Sequence, residues 1–144
     1  MSGLLSILVV EDDDGLREVL VRQLADEGHQ VTSAENGRQA VRLIDSSDYD
    51  LVITDYRMDG MNGLEVVAAV KAEFPDTDVM VLTAVGTIGL AVEAMRQGAI
   101  DFVEKSNLTE VLPIKVGKAI EHRLARLDRE RETFTTDLEA HLAH

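Results

Sequence analysis

Five short aliphatic runs alternate with segments of helical period, and this alternation constrains the fold more than any other feature of the chain. The runs cover residues 4–10, 30–34, 51–54, 78–82 and 100–103. Short runs rich in Val, Ile and Leu are typical of strands that are buried on both faces of a sheet. We therefore predict five strands at these positions.

The segments between the runs carry apolar residues at three-to-four spacing, which predicts helices. Asp13 or Asp14 is the expected N-cap of the first helix, and Gly28 is its expected C-terminal stop. The next helices are predicted over residues 37–46 and 64–74, and a fourth runs from an N-cap at Thr87 to residue 97. A last helix follows the fifth strand, and Pro113 lies in its first turn or marks its start.

Five repeats of strand then helix predict one doubly wound α/β domain with a parallel sheet. Consecutive parallel strands need crossover connections, which are right-handed and place helices on both faces of the sheet. At 144 residues, the chain has room for this domain and a short appendage.

The composition excludes several classes of function. The chain has no cysteine, which excludes a disulfide scaffold, thiol catalysis and Cys-ligated zinc. No apolar run is long enough for a membrane span, and the N-terminus lacks the basic start of a secretory signal. We therefore expect a soluble, cytoplasmic protein that does not act at a membrane.

The net charge of −13 is concentrated in the predicted α/β body. Residues 1–112 hold 8 basic and 21 acidic side chains, whereas residues 113–144 hold 6 of each. An acidic body repels nucleic acid phosphates, so direct nucleic acid binding by this chain is not expected. Divalent cations and basic partner surfaces are the expected counterparts.

Polar side chains follow the predicted strands at their carboxyl ends. Glu11 and Asp12 follow the first strand, Asp55 the third, Thr83 the fourth and Lys105, two residues on, the fifth. The carboxyl ends of parallel strands meet at one edge of a sheet, which is where ligands bind in this class of fold. We therefore expect these five residues to form one site.

The chemistry of these groups favours a metal ion and a phosphoryl group. Crowded carboxylates repel each other unless a cation lies between them, and a donor set of oxygens alone favours Mg²⁺ or Mn²⁺ over zinc. Asp12 and Asp55 suit Mg²⁺, while Lys105 and Thr83 offer a positive charge and a hydroxyl to a phosphoryl group. Asp55 is then a candidate nucleophile, because carboxylates can form aspartyl phosphates.

Four sequence segments together resemble the receiver domain of two-component response regulators over residues 4–123. They are ILVVEDD at 7–13, LVITDYRMDGMNGLE at 51–65, VMVLTA at 79–84 and GAIDFVEK at 98–105. Residues 86–105 resemble receivers of the nitrogen-regulation class of transcriptional activators in particular. The resemblance implies a flavodoxin-like sheet with strand order 2-1-3-4-5. It also implies that the donor of the phosphoryl group is a histidine kinase or a histidine phosphotransfer protein.

The resemblance also implies roles for individual residues. Asp55 matches the phosphoacceptor and a metal ligand, Asp12 a direct Mg²⁺ ligand, and Glu11 a ligand through water. The backbone carbonyl of Arg57 would be the third protein ligand to the metal.

Three further positions match groups that respond to the phosphoryl group. Thr83 matches the hydroxyl that swings towards it, Lys105 the lysine that pairs with it, and Phe102 the aromatic switch position. Small Ala84 would leave the phosphoryl group accessible.

Three positions depart from the usual receiver pattern. Asp59 and Ser106 stand where the family usually has proline, and Phe102 lacks the hydroxyl of a tyrosine switch. A cis bond before a residue other than proline costs about 2.5–4 kcal/mol, which favours a trans Lys105–Ser106 bond, but the sequence leaves the isomer open.

Three alternative functions remain after this reading. A pseudo-receiver that acts without phosphorylation is kept open by Asp59 and Ser106. An aspartate-nucleophile phosphatase is disfavoured because Arg57 occupies the position where such enzymes carry an acid. A dinucleotide or flavin carrier is disfavoured because acids, and not a glycine-rich loop, follow the first strand.

The C-terminal segment carries a stripe of apolar residues in a charged sequence. Ile120, Leu124, Leu127, Phe134 and Leu138 recur at spacings of three, four and seven, with Arg131 at a core position of the heptad. We predict a receiver domain over 1–123 and a helical linker over 124–144, with a homodimer through the last helix or this extension as a hypothesis. The four histidines, His29, His122, His141 and His144, are predicted to lie on the surface.

Overall fold

A computed structural model describes residues 4–84 and 88–142, and within them the predicted five-stranded parallel sheet is present. The strands lie in the order β2-β1-β3-β4-β5, and every neighbouring pair is parallel. Their bounds are β1 Ser6–Val10, β2 Gln30–Ala34, β3 Leu51–Asp55, β4 Asp78–Thr83 and β5 Asp101–Glu104.

Five α-helices alternate with the strands, as predicted. They are α1 Asp14–Asp26, α2 Gly37–Ser46, α3 Gly63–Glu73, α4 Ile88–Arg96 and α5 Leu108–Leu142. Asp13 is the N-cap of α1, because its side chain accepts a hydrogen bond from the Leu16 N–H at 2.8 Å. Gly28 follows α1 with a φ of +98°, a conformation that glycine adopts without strain. The predicted cap at Thr87 lies outside the described residues.

The sheet separates two apolar layers, so helices cover both of its faces as expected. On one face α2, α3 and α4 pack against alternate residues of β1, β3 and β4, among them Leu8, Val52 and Val81. On the other face α1 and the first part of α5 pack against Ile7, Ile53 and Leu82. The core residues of β1, β3 and β4 are almost fully buried, which explains why these strands read as continuous aliphatic runs.

Strand register brings the polar strand ends to the same edge of the sheet. Val10 pairs with Thr54, Asp55 pairs with Leu82, and Thr83 pairs with Glu104. The residues that follow β1 and β5 therefore lie beside the last residues of β3 and β4.

The prediction that Pro113 lies in the first turn of the last helix or marks its start was wrong. A 3₁₀ turn over Lys105–Asn107 leads directly into α5, which begins at Leu108, so that Pro113 lies inside the helix. Proline cannot donate to the carbonyl four residues earlier, that of Thr109. That carbonyl instead accepts a hydrogen bond from the Gln23 side chain of α1 at 3.1 Å, so an acceptor that proline leaves free is satisfied by a neighbouring helix.

The surface prediction for His29 was also wrong, because the residue is 9% exposed. Its Nδ1 accepts a hydrogen bond from the Leu5 N–H at 3.0 Å, just before β1 begins. Leu5 lies 24 residues away from His29 in sequence, and no local sequence pattern indicates this contact. His122 and His141 are exposed as expected, and His144 lies outside the described residues.

None of the helices in residues 4–84 and 88–142 combines the length and the apolar character that crossing a membrane requires.

Replacing His29 by Leu should lower the free energy of unfolding by about 1–3 kcal/mol, because the buried Leu5 N–H loses its acceptor. Urea denaturation at pH 7.5 measures the loss. The matched control is His122→Leu at an exposed helical position, which should change stability by no more than about 0.5 kcal/mol. Equal losses in the two variants would contradict a structural role for the His29 ring.

Candidate functional site

Three carboxylates converge at the carboxyl edge of the sheet. Glu11 follows β1 and is fully buried, Asp12 is exposed, and Asp55 ends β3 with 3% of its surface exposed. One carboxylate oxygen from each residue lies within 4.8 Å of the other two. Side chains this close can share one divalent cation, and their oxygens are the ligands that Mg²⁺ prefers.

Lys105 supplies the positive charge that faces two of these acids. Its Nζ lies 2.9 Å from Asp55 Oδ2 and 3.1 Å from Glu11 Oε1. Burial alone would lower the pKa of Lys105, but the hydrogen bonds and charges of Asp55 and Glu11 raise it above its ordinary value. Lys105 is therefore a fixed cation, held by the 3₁₀ turn that follows β5.

Glu11 lies in an environment that disfavours its charged form. Burial is the largest cause, and the neighbouring Asp55 adds to it, so that the pKa of Glu11 rises to about 8 although Lys105 acts to lower it. In the absence of a cation, one proton is therefore retained by the acidic cluster near neutral pH. A divalent cation favours the ionised acids and would displace that proton.

Thr83 is the last residue of β4, and its hydroxyl is buried with no hydrogen-bond partner among the described residues. A buried polar group without a partner costs free energy, so few such groups persist in native proteins. The next strand in the sheet is β3, which ends at Asp55. The Thr83 hydroxyl is therefore able to donate a hydrogen bond to a group bound beside Asp55, at the end of the neighbouring strand.

Arg17 is a residue of the site that the sequence reasoning missed. It lies in α1 and is largely buried, and it donates from Nη1 to the backbone carbonyl of Glu11 at 2.9 Å. Its Nη2 pairs with Asp14 at 2.5 Å in the first turn of α1. Through these contacts Arg17 connects α1 to the turn that contains Asp12. The available signal in the sequence was the spacing of Asp14 and Arg17, which places the two side chains one turn apart on a helix.

Gly63 is a second residue that the sequence reasoning missed. It opens α3, its N–H donates to the Tyr56 carbonyl at 2.9 Å, and a Cβ there would overlap the backbone carbonyl oxygen of Asp55. Only glycine allows the first turn of α3 to approach the end of β3 this closely. Asn62 caps the same turn in a reciprocal capping box with Glu65.

The remaining predicted residues lie around the acidic cluster and not inside it. Arg57 is exposed and lines a groove with Asp12 and Asp59, while Phe102 is half-buried on β5. Phe102 lines a different, apolar groove against α4, and Lys115 Nζ lies 5.8 Å from its ring centre. No cis peptide occurs among the described residues, so the Lys105–Ser106 bond is trans.

Comparison with known proteins agrees with this architecture. The family model described as "Response regulator receiver domain" matches residues 7–116. The transcriptional regulatory protein GlrR of Escherichia coli is 37% identical over 131 residues, and the DNA-binding transcriptional regulator NtrC of Escherichia coli is 35% identical over 116 residues. These matches cover 90% and 81% of this chain but only 30% and 25% of the two relatives.

A solved structure, that of the response regulator protein TrrA from Thermotoga maritima in complex with Mg²⁺–BeF, is similar with a TM-score of 0.72. It is 36% identical in sequence, and the match covers 79% of this chain and 97% of that one. The chain belongs to the response regulator receiver domain family. The predicted strand order and the resemblance to the nitrogen-regulation class are therefore confirmed, and the family is one of two-component signalling domains and not of classical enzymes.

The raised pKa of Glu11 predicts a pH dependence of the metal-free receiver domain. Between the ordinary value of 4.5 and the folded value of about 8, the folded state holds more protons than the unfolded state. The free energy of unfolding should therefore fall as pH rises from 5 to 8.5, by an amount on the order of a few kcal/mol. Glu11→Gln should flatten this decline.

Urea denaturation in EDTA at several pH values provides the measurement. Glu139→Gln, at an exposed position of α5, is the matched control and should keep the wild-type pH profile. Parallel profiles for wild type and Glu11→Gln would contradict the buried, proton-retaining Glu11.

Proposed function

We propose that this receiver domain accepts a phosphoryl group on Asp55 from a phosphohistidine donor. The observation that carries the proposal is the position of Lys105, whose Nζ lies 2.9 Å from Asp55 and 3.1 Å from Glu11. An ammonium that already faces the nucleophile can stabilise the negative charge of an arriving phosphoryl group, and in phosphoryl transfer such positioning is most of the protein's work.

In the proposed step a carboxylate oxygen of Asp55 forms a bond to phosphorus, and the phosphorus–nitrogen bond of the donor breaks. The electron pair of that bond returns to the imidazole, which takes up a proton, and Asp55 becomes a mixed anhydride. Lys105 then pairs with a phosphoryl oxygen, and the Thr83 hydroxyl, which has no hydrogen-bond partner among residues 4–84 and 88–142, donates a hydrogen bond to another.

A metal ion fits the donor set of this site. We propose Asp12 and Asp55 as direct Mg²⁺ ligands, Glu11 as a ligand through water and the Arg57 carbonyl as a further ligand, with Mn²⁺ as a substitute. The metal would neutralise charge and orient phosphoryl oxygens. The three carboxylates within 4.8 Å support this, as does the Mg²⁺–BeF in the similar TrrA structure.

The proposal extends to the partners and to the domain division. The donor is a histidine kinase or a histidine phosphotransfer protein, and the chain catalyses only its own phosphorylation and dephosphorylation in the cytoplasm.

The receiver occupies residues 1–123, and residues 124–144 link it to an output. Because the chain spans 30% and 25% of the two transcriptional regulators, an output domain on the same protein is part of the proposal. Thr83 and Phe102 would transmit the change.

Two alternative functions are distinguished by specific features. A pseudo-receiver would bind partners without phosphorylation, and Asp59 and Ser106 remain departures from the usual family pattern. An aspartate-nucleophile phosphatase needs an acid two residues after the nucleophile, where this chain has the exposed Arg57.

Phosphorylation of Asp55 can be tested without the natural donor. Incubation with acetyl phosphate and Mg²⁺ should add the mass of one phosphoryl group to the wild type and to the control Asp59→Asn, but not to Asp55→Asn. The control removes an exposed carboxylate from the groove that Asp12 and Arg57 line, and it leaves Asp55 in place. Intact-mass spectrometry reports the adduct. The absence of an adduct and of Mg²⁺-dependent beryllofluoride binding in the wild type would favour the pseudo-receiver.

The metal site predicts a stabilisation by Mg²⁺ that depends on Asp12. At ten times its Kd, Mg²⁺ should raise the free energy of unfolding of the wild type by about 1.4 kcal/mol. Asp12→Asn should gain much less at the same concentration, and it should be slightly more stable than the wild type in EDTA because one repelling charge is gone. Asp12 suits this test because Lys105 pairs with Glu11 and Asp55 and not with Asp12, so that Asp12→Asn removes a charge without breaking either ion pair.

Denaturation with and without Mg²⁺ gives both values. Asp13→Asn is the matched control, since Asp13 caps α1 and is not in the carboxylate cluster, and it should gain as much as the wild type. A similar gain for Asp12→Asn would place the cation elsewhere.

A further inference from the structure

Arg17 of α1 binds the backbone carbonyls on both sides of Asp12, the exposed acid of the carboxylate cluster. Its Nη1 donates to the Glu11 carbonyl at 2.9 Å, and its backbone N–H donates to the Asp13 carbonyl at 2.9 Å. The Arg17 side chain is 15% exposed, so it reaches the turn from a largely buried position. Arg17 therefore fixes the backbone before and after a proposed metal ligand.

The peptide unit between Glu11 and Asp12 is held at both of its polar atoms. Its carbonyl accepts from Arg17, and its N–H donates to Glu11 Oε2 at 3.2 Å. The N–H of Glu11 also donates to the Ala34 carbonyl at the end of β2, at 3.1 Å. Because a peptide unit is planar, these bonds set the direction in which the chain enters Asp12. The Arg17 bond is the one that a substitution can remove while both carboxylates remain.

The charge of Arg17 is compensated by two acids outside the cluster. Its Nη2 pairs with Asp14 at 2.5 Å and lies 3.9 Å from Glu35 Oε1. An uncompensated guanidinium beside the cluster would oppose the binding of a metal cation. With these two partners the contact of Arg17 with the turn acts through geometry and not through charge.

We propose that Arg17 is a positioning residue that sets the affinity and the selectivity of the Asp12 site for Mg²⁺. This inference rests on the metal site of the proposed function. Mg²⁺ requires near-ideal octahedral geometry with oxygens at about 2.0–2.1 Å, whereas Ca²⁺ accepts flexible arrangements at about 2.3–2.6 Å. A ligand that is held in a fixed turn therefore favours the smaller ion, and a looser turn reduces that preference.

The inference is tested by Arg17→Met, which removes the guanidinium donors and retains a long side chain. The Kd for Mg²⁺ should rise by about tenfold or more, which is the usual effect of losing a group that orients a metal ligand. The Kd for Ca²⁺ should rise by less, so the preference for Mg²⁺ over Ca²⁺ should fall. Urea denaturation at increasing concentrations of each ion gives both values, because the stabilisation depends on the ion concentration relative to its Kd.

The ratio of the two dissociation constants separates positioning from a merely structural role. A variant that only populates the binding-competent state less often raises both Kd values by the same factor and keeps the ratio. Removal of a repelling charge would instead tighten the binding of both ions. An unchanged ratio in Arg17→Met, or tighter binding of Mg²⁺, would overturn the proposal.

Two further variants complete the test. Arg22→Met removes the same charge from an exposed position of α1, where Arg22 pairs with Glu18, and it should keep the wild-type dissociation constants. Arg17→Lys keeps the charge, but a flexible point donor does not hold two acceptors in a fixed fork. It should lower the preference for Mg²⁺ by a smaller factor than Arg17→Met. A wild-type ratio in Arg17→Lys would also overturn the proposal, and this variant decides the question if Arg17→Met does not fold.

The same titrations distinguish this inference from the proposed function. A wild type that Mg²⁺ does not stabilise would contradict the proposed metal site, and the role of Arg17 with it. A wild type that Mg²⁺ stabilises, beside Arg17 variants with an unchanged preference, would overturn the role of Arg17 alone.

Discussion

Electrostatic crowding at the carboxyl edge of the sheet is the constraint on which the other features of the site depend. Two carboxylates 4 Å apart repel by about 4 kcal/mol at an effective dielectric constant near 20. The parallel sheet forces three of them together, because β1 and β3 are neighbours that both end at this edge. Lys105 compensates two of the acids, and a retained proton on Glu11 relieves more of the strain. Such a cluster favours the binding of a cation, and the pair with Lys105 holds the Asp55 carboxylate in place.

The fold and the site could be predicted largely from the sequence because both depend on strand ends. A doubly buried strand must be aliphatic throughout, so its last residue is visible in the sequence, and parallel topology then places every such end at one edge. Glu11, Asp55, Thr83 and Lys105 were located by that reasoning alone. Several element boundaries differed by one or two residues, and at β3 and β4 the reason is that Asp55 and Thr83 are themselves the last strand residues and not the first loop residues.

The features that the sequence could not supply depend on partners that are distant in the chain. His29 is buried because a backbone N–H before β1 needs an acceptor, and Pro113 is tolerated inside α5 because Gln23 satisfies the Thr109 carbonyl. Gly63 is required by the backbone of Asp55, and Arg17 by the carbonyl of Glu11. Nothing in the sequence next to each of these residues indicates its role. The partner group becomes visible only in the folded structure.

The site and the exposed end of α5 are joined by continuous helical structure. Lys105 begins the 3₁₀ turn that leads without interruption into α5, and the 35 residues of that helix span about 50 Å. The same helix packs against the sheet through Leu112 and Val116 and is held at the opposite edge by Arg123 and Arg126. A movement of Lys105 would therefore act at the start of a helix that is anchored on the sheet again at Arg123 and Arg126, before its exposed end. Between Lys105 and Arg123 the helix is also held by the hydrogen bond from Gln23 of α1 and by the ion pair of Lys115 with Asp101 of β5.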